Sequence, residues 1–257
     1  MAAATRRLRI EVAYDGNPFA GWQIQAGKKG TVQGHLETAF SKLSGGQRVM
    51  VHGSGRTDAG VHAMAQVAHA DVDVSRAGLA LARDWLKPLN AHLPPEIRVK
   101  AARFVSGEFH ARFDARGKIY RYRIWNAPVM NPLEINHAWH VWNSLDVAAM
   151  QAALRCFIGK HDFAAFAANR GRGGAPATTV RTIRRATLSR RGALLTLEFE
   201  GDGFLYKMVR LMTGAAVRMA EGKATLAWLQ QMIAKPLVAK NNFQAPADGL
   251  YLKRVLY

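Results

Sequence analysis

Two stretches of alternating side chains, one near the start of the chain and one near its middle, most constrain the fold. In Leu8–Tyr14 every second residue is apolar, and in Lys118–Trp125 two tyrosines and an isoleucine share one face. Side chains alternate across a β-strand with a period of two, so both stretches predict strands that bury one face. Each of these strands opens one half of the chain.

Both halves also contain helical patterns. A helix over Val32–Leu43 follows Thr31, a good N-cap, and a second over Arg76–Lys87 ends before Pro88. We therefore predict an α+β fold of two related lobes, residues 1–105 and 106–257. The other predicted elements are the strands Arg48–Ser54, Ala65–Val74, Ile97–Val105, Thr182–Ser189, Ala193–Glu200 and Gly249–Leu256, and the helices Asp146–Ile158, Tyr206–Glu221 and Leu226–Ala234.

The charge of the chain indicates a polyanionic partner. The 36 basic and 18 acidic residues give a net charge of +18, spread along the chain rather than confined to a tail. A folded basic surface that binds nucleic acid is the expected consequence. The lone cysteine, Cys156, allows no internal disulfide, and no run is apolar enough for a signal peptide or a membrane span. We expect a cytoplasmic protein that does not bind membranes.

The segment Gly55–His62 carries the chemistry most clearly. It places Asp58 two residues after Arg56, in a glycine-flanked turn between two predicted strands. A nearby cation favours the ionised form of a carboxyl group, and glycines let a large substrate approach the backbone closely. The alternative is an ordinary tight turn in which Asp58 caps backbone amides and Arg56 is a surface charge.

The motifs of the chain favour the catalytic alternative. The string Gly-Arg-Thr-Asp-Ala-Gly-Val-His-Ala resembles the catalytic segment of the TruA family of tRNA pseudouridine synthases, and the resemblance spans about Leu8 to Tyr257. The other segments that match in order are Tyr14-Asp15-Gly16, Phe19–Gln23, Thr31–Gly34, Phe109–Phe113, Lys118–Tyr122, Phe204–Arg210 and Gly249–Leu252.

The resemblance implies both fold and function. It implies two α+β lobes that share an extended antiparallel sheet, with a basic cleft between them. The implied reaction is isomerisation of uridine to pseudouridine at positions 38, 39 and 40 of the tRNA anticodon stem-loop. The implied enzyme is a homodimer that uses neither cofactor nor metal. Two alternatives stay open: a non-catalytic RNA-binding or RNA-remodelling protein of the same fold, and a pseudouridine synthase for another RNA position.

The resemblance also assigns catalytic roles residue by residue. Asp58, in the N-terminal lobe, is the catalytic carboxylate. From its position two residues before Asp58, Arg56 is our candidate for filling the space that the flipped base vacates and for pairing with a phosphate. In the C-terminal lobe, Tyr120 stacks on the uracil and Arg210 pairs with the aspartate. From the residues alone, Tyr120 could equally pack in the sheet, and the two arginines could be solvated charges.

Two further groups of residues are assigned to RNA. A base pocket is expected around Phe204 and Leu205, although core packing would explain them equally well. A segment that mixes aromatic and basic side chains suits unpaired bases and their phosphates. It consists of Phe109, His110, Ala111, Arg112 and Phe113. The Gly/Arg-rich segment Asn169–Pro176 is predicted to be a loop whose RNA contacts cannot be transferred from the family.

Overall fold

The computed structural model describes residues 5–25, 27, 30–75, 78–168, 178–236 and 241–257. The chain divides into two compact units. Unit 1 comprises Met1–Ala115 and Leu252–Tyr257, and unit 2 comprises Arg116–Tyr251. These units differ from the predicted lobes at residues 106–115 and 252–257, which belong to unit 1. The difference has a local cause, because the hydroxyl of Tyr257 donates to the carbonyl of Ala111 at 2.6 Å.

In unit 1, an antiparallel sheet carries two helices. The first strand lies between the third and the fourth, and the C-terminal strand is hydrogen-bonded next to the third. The elements are β1 (Thr5–Tyr14), α1 (Val32–Leu43), β2 (His52–Gly53), β3 (His62–Asp73), α2 (Leu86–His92), β4 (Ile97–Val105) and the end of β10 (Leu250–Leu256).

The alternation of β1 is realised as predicted. Leu8, Ile10 and Val12 are at most 1% exposed, whereas their neighbours in the strand are half-buried. On α1, the buried side chains include Leu36 and Phe40, four residues apart on one helical face. Each large apolar side chain that is fully buried contributes ~1.5–3 kcal/mol. Periodicity therefore set which face of each element enters the core.

The predicted bounds of α1 are confirmed, but those of the next helix are wrong. Thr31 caps α1 by accepting a hydrogen bond from the amide of Gly34 at 3.2 Å. The helix predicted over Arg76–Lys87 begins with two residues outside the described part of the chain, and the described residues of this range form instead a 3₁₀ turn at Ala82–Trp85 and the start of α2. Pro88 lies in the first turn of α2, where the amide hydrogen that proline lacks has no partner within the helix.

In unit 2, another sheet region carries three helices. β9 lies between β5 and β8, β7 pairs with β8, and β6 runs parallel to β5. The elements are β5 (Gly117–Asn126), β6 (Trp139–Val141), α3 (Val147–Phe157), β7 (Gly159–Asp162), β8 (Val180–Arg191), β9 (Leu194–Gly201), α4 (Met208–Ala220), α5 (Leu226–Ala234) and the start of β10.

The predicted α+β fold class is confirmed. The ten strands form a mixed sheet, because β5 and β6 are parallel and the other pairs described above are antiparallel. The basic central cleft stays a prediction, and the loop predicted at Asn169–Pro176 lies outside the described residues. Within the described part of the chain, no helix is long and apolar enough to cross a membrane.

Candidate functional site

The predicted catalytic residues are divided between the two units. Asp58 and Arg56 lie in unit 1, and Tyr120 and Arg210 lie in unit 2. The segment Phe109–Phe113 also lies in unit 1, whereas Phe204 and Leu205 lie in unit 2. The surroundings of each group are therefore described within its own unit.

Asp58 lies in the loop between β2 and β3, as predicted, and its side chain is half-buried. The carbonyl of Asp58 accepts a hydrogen bond from the amide of Val61 at 3.1 Å. The amide of Trp22 donates to the carbonyl of Thr57, also at 3.1 Å. Strand ends and a second segment of the chain thus hold the backbone on both sides of the carboxylate.

A glycine allows this second segment to approach so closely. Gly21 has φ +91°, and a Cβ at this position would lie 2.7 Å from the carbonyl oxygen of Thr57. Any other residue would meet that oxygen and would also be strained by the positive φ. The Phe19-Ala20-Gly21-Trp22 string therefore contributes to the Asp58 loop from 37 residues earlier in the chain, a contribution that strand and helix patterns alone do not reveal.

The side chain of Arg56 is held by Gln23, which lies 33 residues earlier in the chain. Its guanidinium is exposed, and its Nε donates to Oε1 of Gln23 at 3.0 Å. The catalytic role predicted for Arg56 stays a prediction. Because this hydrogen bond goes to a neutral amide, it does not compensate the charge of Arg56, and a positive charge on an exposed side chain can attract a phosphate.

The segment Phe109–Phe113 has an inner and an outer side. Phe109 packs against Tyr257, with ring centroids 5.2 Å apart, and Ala111 is fully buried. Phe113 is 73% exposed, and its ring lies 4.3 Å from that of His110. Exposed aromatic rings suit base stacking, so the outer side can contact RNA while the inner side anchors the segment.

His69 anchors this segment from β3 and was not predicted to do so. Its ring is 2% exposed, and Nδ1 accepts a hydrogen bond from the amide of Ala111 at 3.1 Å. Burial, followed by the nearby charge of Arg7 and then by His110 and His52, lowers the pKa of His69 from 6.5 to about 4. The imidazole is therefore neutral at neutral pH, as an acceptor nitrogen requires.

By alternation along the sequence alone, His69 shares one face of β3 with Asp71 and Asp73, which would be a solvated face. Asp71 is exposed, but both its oxygens accept hydrogen bonds of 2.7 Å from the guanidinium of Arg7. This pairing lowers the pKa of the Asp71 carboxyl group. Arg7 stands opposite Asp71 in the register of β1 and β3, so correct strand pairing would have revealed the contact.

In unit 2, Tyr120 and the predicted pocket residue Phe204 are in contact. Tyr120 lies in β5, opposite Phe199 of β9, and is half-buried. Its ring centroid lies 5.0 Å from that of Phe204. Leu205 is 7% exposed, and its amide donates to Sδ of Met208 at 3.5 Å. An aromatic wall and a buried aliphatic residue are thus adjacent in sequence, as a base pocket requires.

Arg210 lies on α4, off its apolar stripe. Leu211 and Ala215, four residues apart on the apolar face of the helix, are buried, whereas Arg210 is half-buried. Nε of Arg210 donates to the carbonyl of Ala245 at 2.8 Å, and the amide of Ala245 donates to the carbonyl of Arg210 at 3.1 Å. These two bonds fix both the backbone and the guanidinium of Arg210.

Comparison with known proteins gives a consistent result over the whole chain. The profile of a family described as "tRNA pseudouridine synthase" matches residues 10–114 and 153–257. A protein of Akkermansia muciniphila named "tRNA pseudouridine synthase A" is 48% identical over 98% of this chain and 95% of its own length. Proteins of the same name from Solidesulfovibrio magneticus and Geobacillus kaustophilus are 48% and 41% identical, each over 98% of this chain and over 91% and 95% of their own lengths.

Proposed function

The chain belongs to the tRNA pseudouridine synthase family, and from this premise we propose that it modifies the anticodon stem-loop. It is an isomerase that converts uridine to pseudouridine in tRNA. The proposed targets are positions 38, 39 and 40 of the tRNA. The observation that supports this proposal most strongly is the 48% identity, over nearly the whole chain, to two proteins named "tRNA pseudouridine synthase A".

The reaction needs a reachable carboxylate but no external reactant. The bond between C1′ and N1 of uridine breaks, a bond between C1′ and C5 forms, N1 gains a proton and C5 loses one. Electrons and atoms therefore balance within the substrate. We assign the initiating role to Asp58, which is half-buried and held by its loop. Attack on the base, attack on the sugar and removal of a sugar proton are all compatible with a carboxylate in this position.

The other catalytic assignments follow the resemblance. The ring of Tyr120 stacks on the uracil, and its hydroxyl takes part in removing the proton from C5. Arg210 stabilises the negative charge of the carboxylate. Arg56 fills the space that the flipped base vacates and pairs with a phosphate. These contacts offset part of the cost of base flipping, which is a few kcal/mol in a paired stem and less in a loop. Phe204 supports the aromatic stack from the side.

RNA binding outside the pocket is assigned to the outer side of the segment Phe109–Phe113. The exposed ring of Phe113 offers a stacking surface, and the exposed guanidinium of Arg112 offers a phosphate contact. The inner residues Phe109 and Ala111 act indirectly, by anchoring the segment to unit 1. We further propose that the enzyme is a cytoplasmic homodimer that needs no cofactor. Light scattering at several concentrations measures its oligomeric state directly.

The experiment that tests the function uses purified protein and unmodified tRNA transcripts. Pseudouridine is mapped at single-nucleotide resolution for the wild type, for Asp58→Asn and for Asp84→Asn. Both substitutions replace a carboxylate in unit 1 by an isosteric amide, but the Asp84 carboxylate accepts a hydrogen bond from the amide of Leu81 at the 3₁₀ turn and lies 4.0 Å from Nε of Arg83, outside the Asp58 loop. We expect pseudouridine at positions 38–40 with the wild type and with Asp84→Asn, and none with Asp58→Asn.

Other outcomes of this experiment distinguish the alternatives. Pseudouridine at a different position would keep the chemistry and refute the proposed target. Tight tRNA binding without any pseudouridine would instead support a non-catalytic RNA-binding protein.

A further inference from the structure

Four polar side chains are buried together beneath the Asp58 loop. They are at most 7% exposed, although uncharged polar residues are usually found at the surface. Two come from strands, one from the end of β1 and one from β3, and two come from the loop itself. The four residues, here called the loop network, are Tyr14, Ser54, Thr57 and Gln66.

Hydrogen bonds connect the loop network to the loop backbone. The hydroxyl of Tyr14 lies 2.8 Å from Oγ1 of Thr57. Oγ of Ser54 donates to Oε1 of Gln66 at 2.6 Å, and Nε2 of Gln66 donates to the carbonyl of Gly55 at 3.0 Å. The network thus holds Thr57, directly before Asp58, and Gly55, three positions before Asp58.

An irregularity of the sheet brings the network together. β1 and β3 change register between the pairs Val12–Gln66 and Tyr14–Ala63, so β3 contains one residue more than β1 there. Bulges of this kind redirect side chains and are frequent beside active sites. Here the bulge lies between Tyr14 and Gln66, the two strand residues of the network.

Burying this much polarity has a cost that packing alone does not explain. A buried hydroxyl or amide is destabilising unless its hydrogen bonds are satisfied, and apolar residues of similar volume would fill the space without that requirement. A satisfied polar network, in contrast, specifies one geometry, because hydrogen bonds depend on distance and angle. The geometry specified here is that of residues 55–57, next to Asp58.

We propose that Tyr14, Ser54, Thr57 and Gln66 are positioning residues that hold the carboxylate of Asp58 in its reactive place. This inference rests on the proposed function, in which Asp58 initiates the reaction. Catalytic groups must be held within ~0.5 Å of the productive geometry. Asp58 lies in a loop, so the regular backbone hydrogen bonds of a strand or helix do not hold it. The hydrogen bonds of the loop network provide that precision instead.

Tyr14 acts through Thr57 and not on the substrate. It is 4% exposed, and burial, opposed by hydrogen bonds from Thr57 and Gln66, raises the pKa of its hydroxyl to about 12. The hydroxyl therefore keeps its proton throughout the pH range of enzyme activity. Its removal should affect the rate of the chemical step rather than its dependence on pH.

The test compares three variants of the network with a matched control. Tyr14→Phe and Thr57→Val each remove one hydroxyl without changing the volume much, and Thr57→Ser restores the hydroxyl. The control is Thr213→Val, because Thr213 is also fully buried but its hydroxyl has no hydrogen-bond partner among the described residues. Both Thr→Val variants remove a buried hydroxyl group. At Thr57 this group has a hydrogen-bond partner, and at Thr213 it has none among the described residues.

Three measurements are made on each variant. Single-turnover pseudouridine formation and tRNA affinity separate the chemical step from binding, and amide hydrogen exchange at Trp22 and Val61 reports on the loop without any need for activity. We expect Tyr14→Phe and Thr57→Val to slow the single turnover about tenfold, the equivalent of about 1.4 kcal/mol. tRNA affinity should stay within about twofold, and exchange at both amides should become faster. Thr57→Ser and Thr213→Val should resemble the wild type.

The outcomes separate the inference from the proposed function. A wild type that forms no pseudouridine refutes the function, and unchanged exchange in the variants then also refutes the loop network. An active wild type whose Tyr14→Phe and Thr57→Val variants keep both rate and exchange overturns the inference alone. A loss of tRNA affinity equal to the loss of rate overturns it as well, since a positioning role predicts an effect on turnover only.

Discussion

The ring of Phe204 stands edge-on to the ring of Tyr120, with centroids 5.0 Å apart and planes 79° apart. Edge-to-face pairs are favourable because the positive edge of one ring meets the negative face of the other. Phe204 lies three residues after the end of β9, and Tyr120 lies in β5, the strand paired with β9. The contact therefore fixes the plane of the tyrosine ring relative to its own sheet, which is the plane that a stacked base would use.

Phe204→Leu should slow turnover while leaving tRNA binding nearly intact. Leucine keeps the apolar wall but loses the edge-to-face contact, which is worth ~0.5–1.5 kcal/mol. We expect a threefold to tenfold lower kcat and a tRNA Kd within about twofold of the wild type. Steady-state kinetics with equilibrium binding check this result. A lower affinity with an unchanged kcat would show that Phe204 binds RNA rather than orienting Tyr120.

Gly21→Ala should impair catalysis far more than Gly78→Ala. Both glycines have a positive φ, +91° and +79°, so both variants carry a similar backbone strain. An added Cβ at Gly21 would meet the carbonyl oxygen of Thr57, whereas at Gly78 it would meet no atom of the described residues within 4 Å. We expect at least tenfold lower turnover for Gly21→Ala, as expected for a displaced catalytic group, and at most about twofold lower turnover for Gly78→Ala. Equal effects would exclude the close approach as the cause.

The stability of the protein should depend on the protonation of His69 between pH 6.5 and 4. Its pKa in the folded state is lowered to about 4, so below pH 6.5 the unfolded chain binds a proton that the folded protein excludes. The free energy of unfolding should fall on the order of 3 kcal/mol as the pH decreases through this window. Below pH 4 this contribution no longer changes.

His69→Gln isolates the contribution of this residue. Glutamine can accept the hydrogen bond of the Ala111 amide but does not titrate. The free energy of unfolding of the variant should therefore decrease less than that of the wild type between pH 6.5 and 4. Urea unfolding at both pH values gives the comparison. Asp71 does not interfere, because its lowered pKa places its own loss of stability below pH 3.8. Parallel pH dependences of wild type and variant would refute the assignment.

Arg112→Ala should weaken tRNA binding in a salt-dependent way. Losing one phosphate contact makes the slope of the logarithm of the tRNA association constant against the logarithm of the salt concentration shallower by about 1. Arg83→Ala is the matched control, because the Arg83 side chain is 79% exposed in the same unit and lies outside the proposed RNA-binding segment. Fluorescence titrations at several salt concentrations measure both slopes. An equal change in both variants would indicate a general effect of net charge.

Local patterns were sufficient for much of the fold. The bounds of α1 and its Thr31 cap, the buried face of β1 and the apolar stripe of α4 all follow from periodicity and capping, which act within a few residues. The same holds for the position of Asp58 in a loop between strands. The motifs also identified the family, because they extend along nearly the whole chain and did not depend on any contact.

Local patterns failed wherever a distant segment decided the outcome. His69 alternates like a solvated residue, but the segment around Ala111, 42 residues away, buries it and supplies its hydrogen bond. Arg56 stands two residues before Asp58 in the motif, but its Nε donates to Gln23, 33 residues earlier in the chain. Pro88 stands inside α2 because the helix begins later than its pattern suggested.

The sequence by itself therefore determined the family, the elements and the residue types of the site. Only the tertiary structure decided their partners, since strand register and loop packing bring together residues far apart in the chain. The loop network beneath Asp58 is the clearest example. Its members lie in β1, the loop and β3, and the bulge that aligns Tyr14 with Thr57 arises from strand pairing, which no single stretch of sequence encodes.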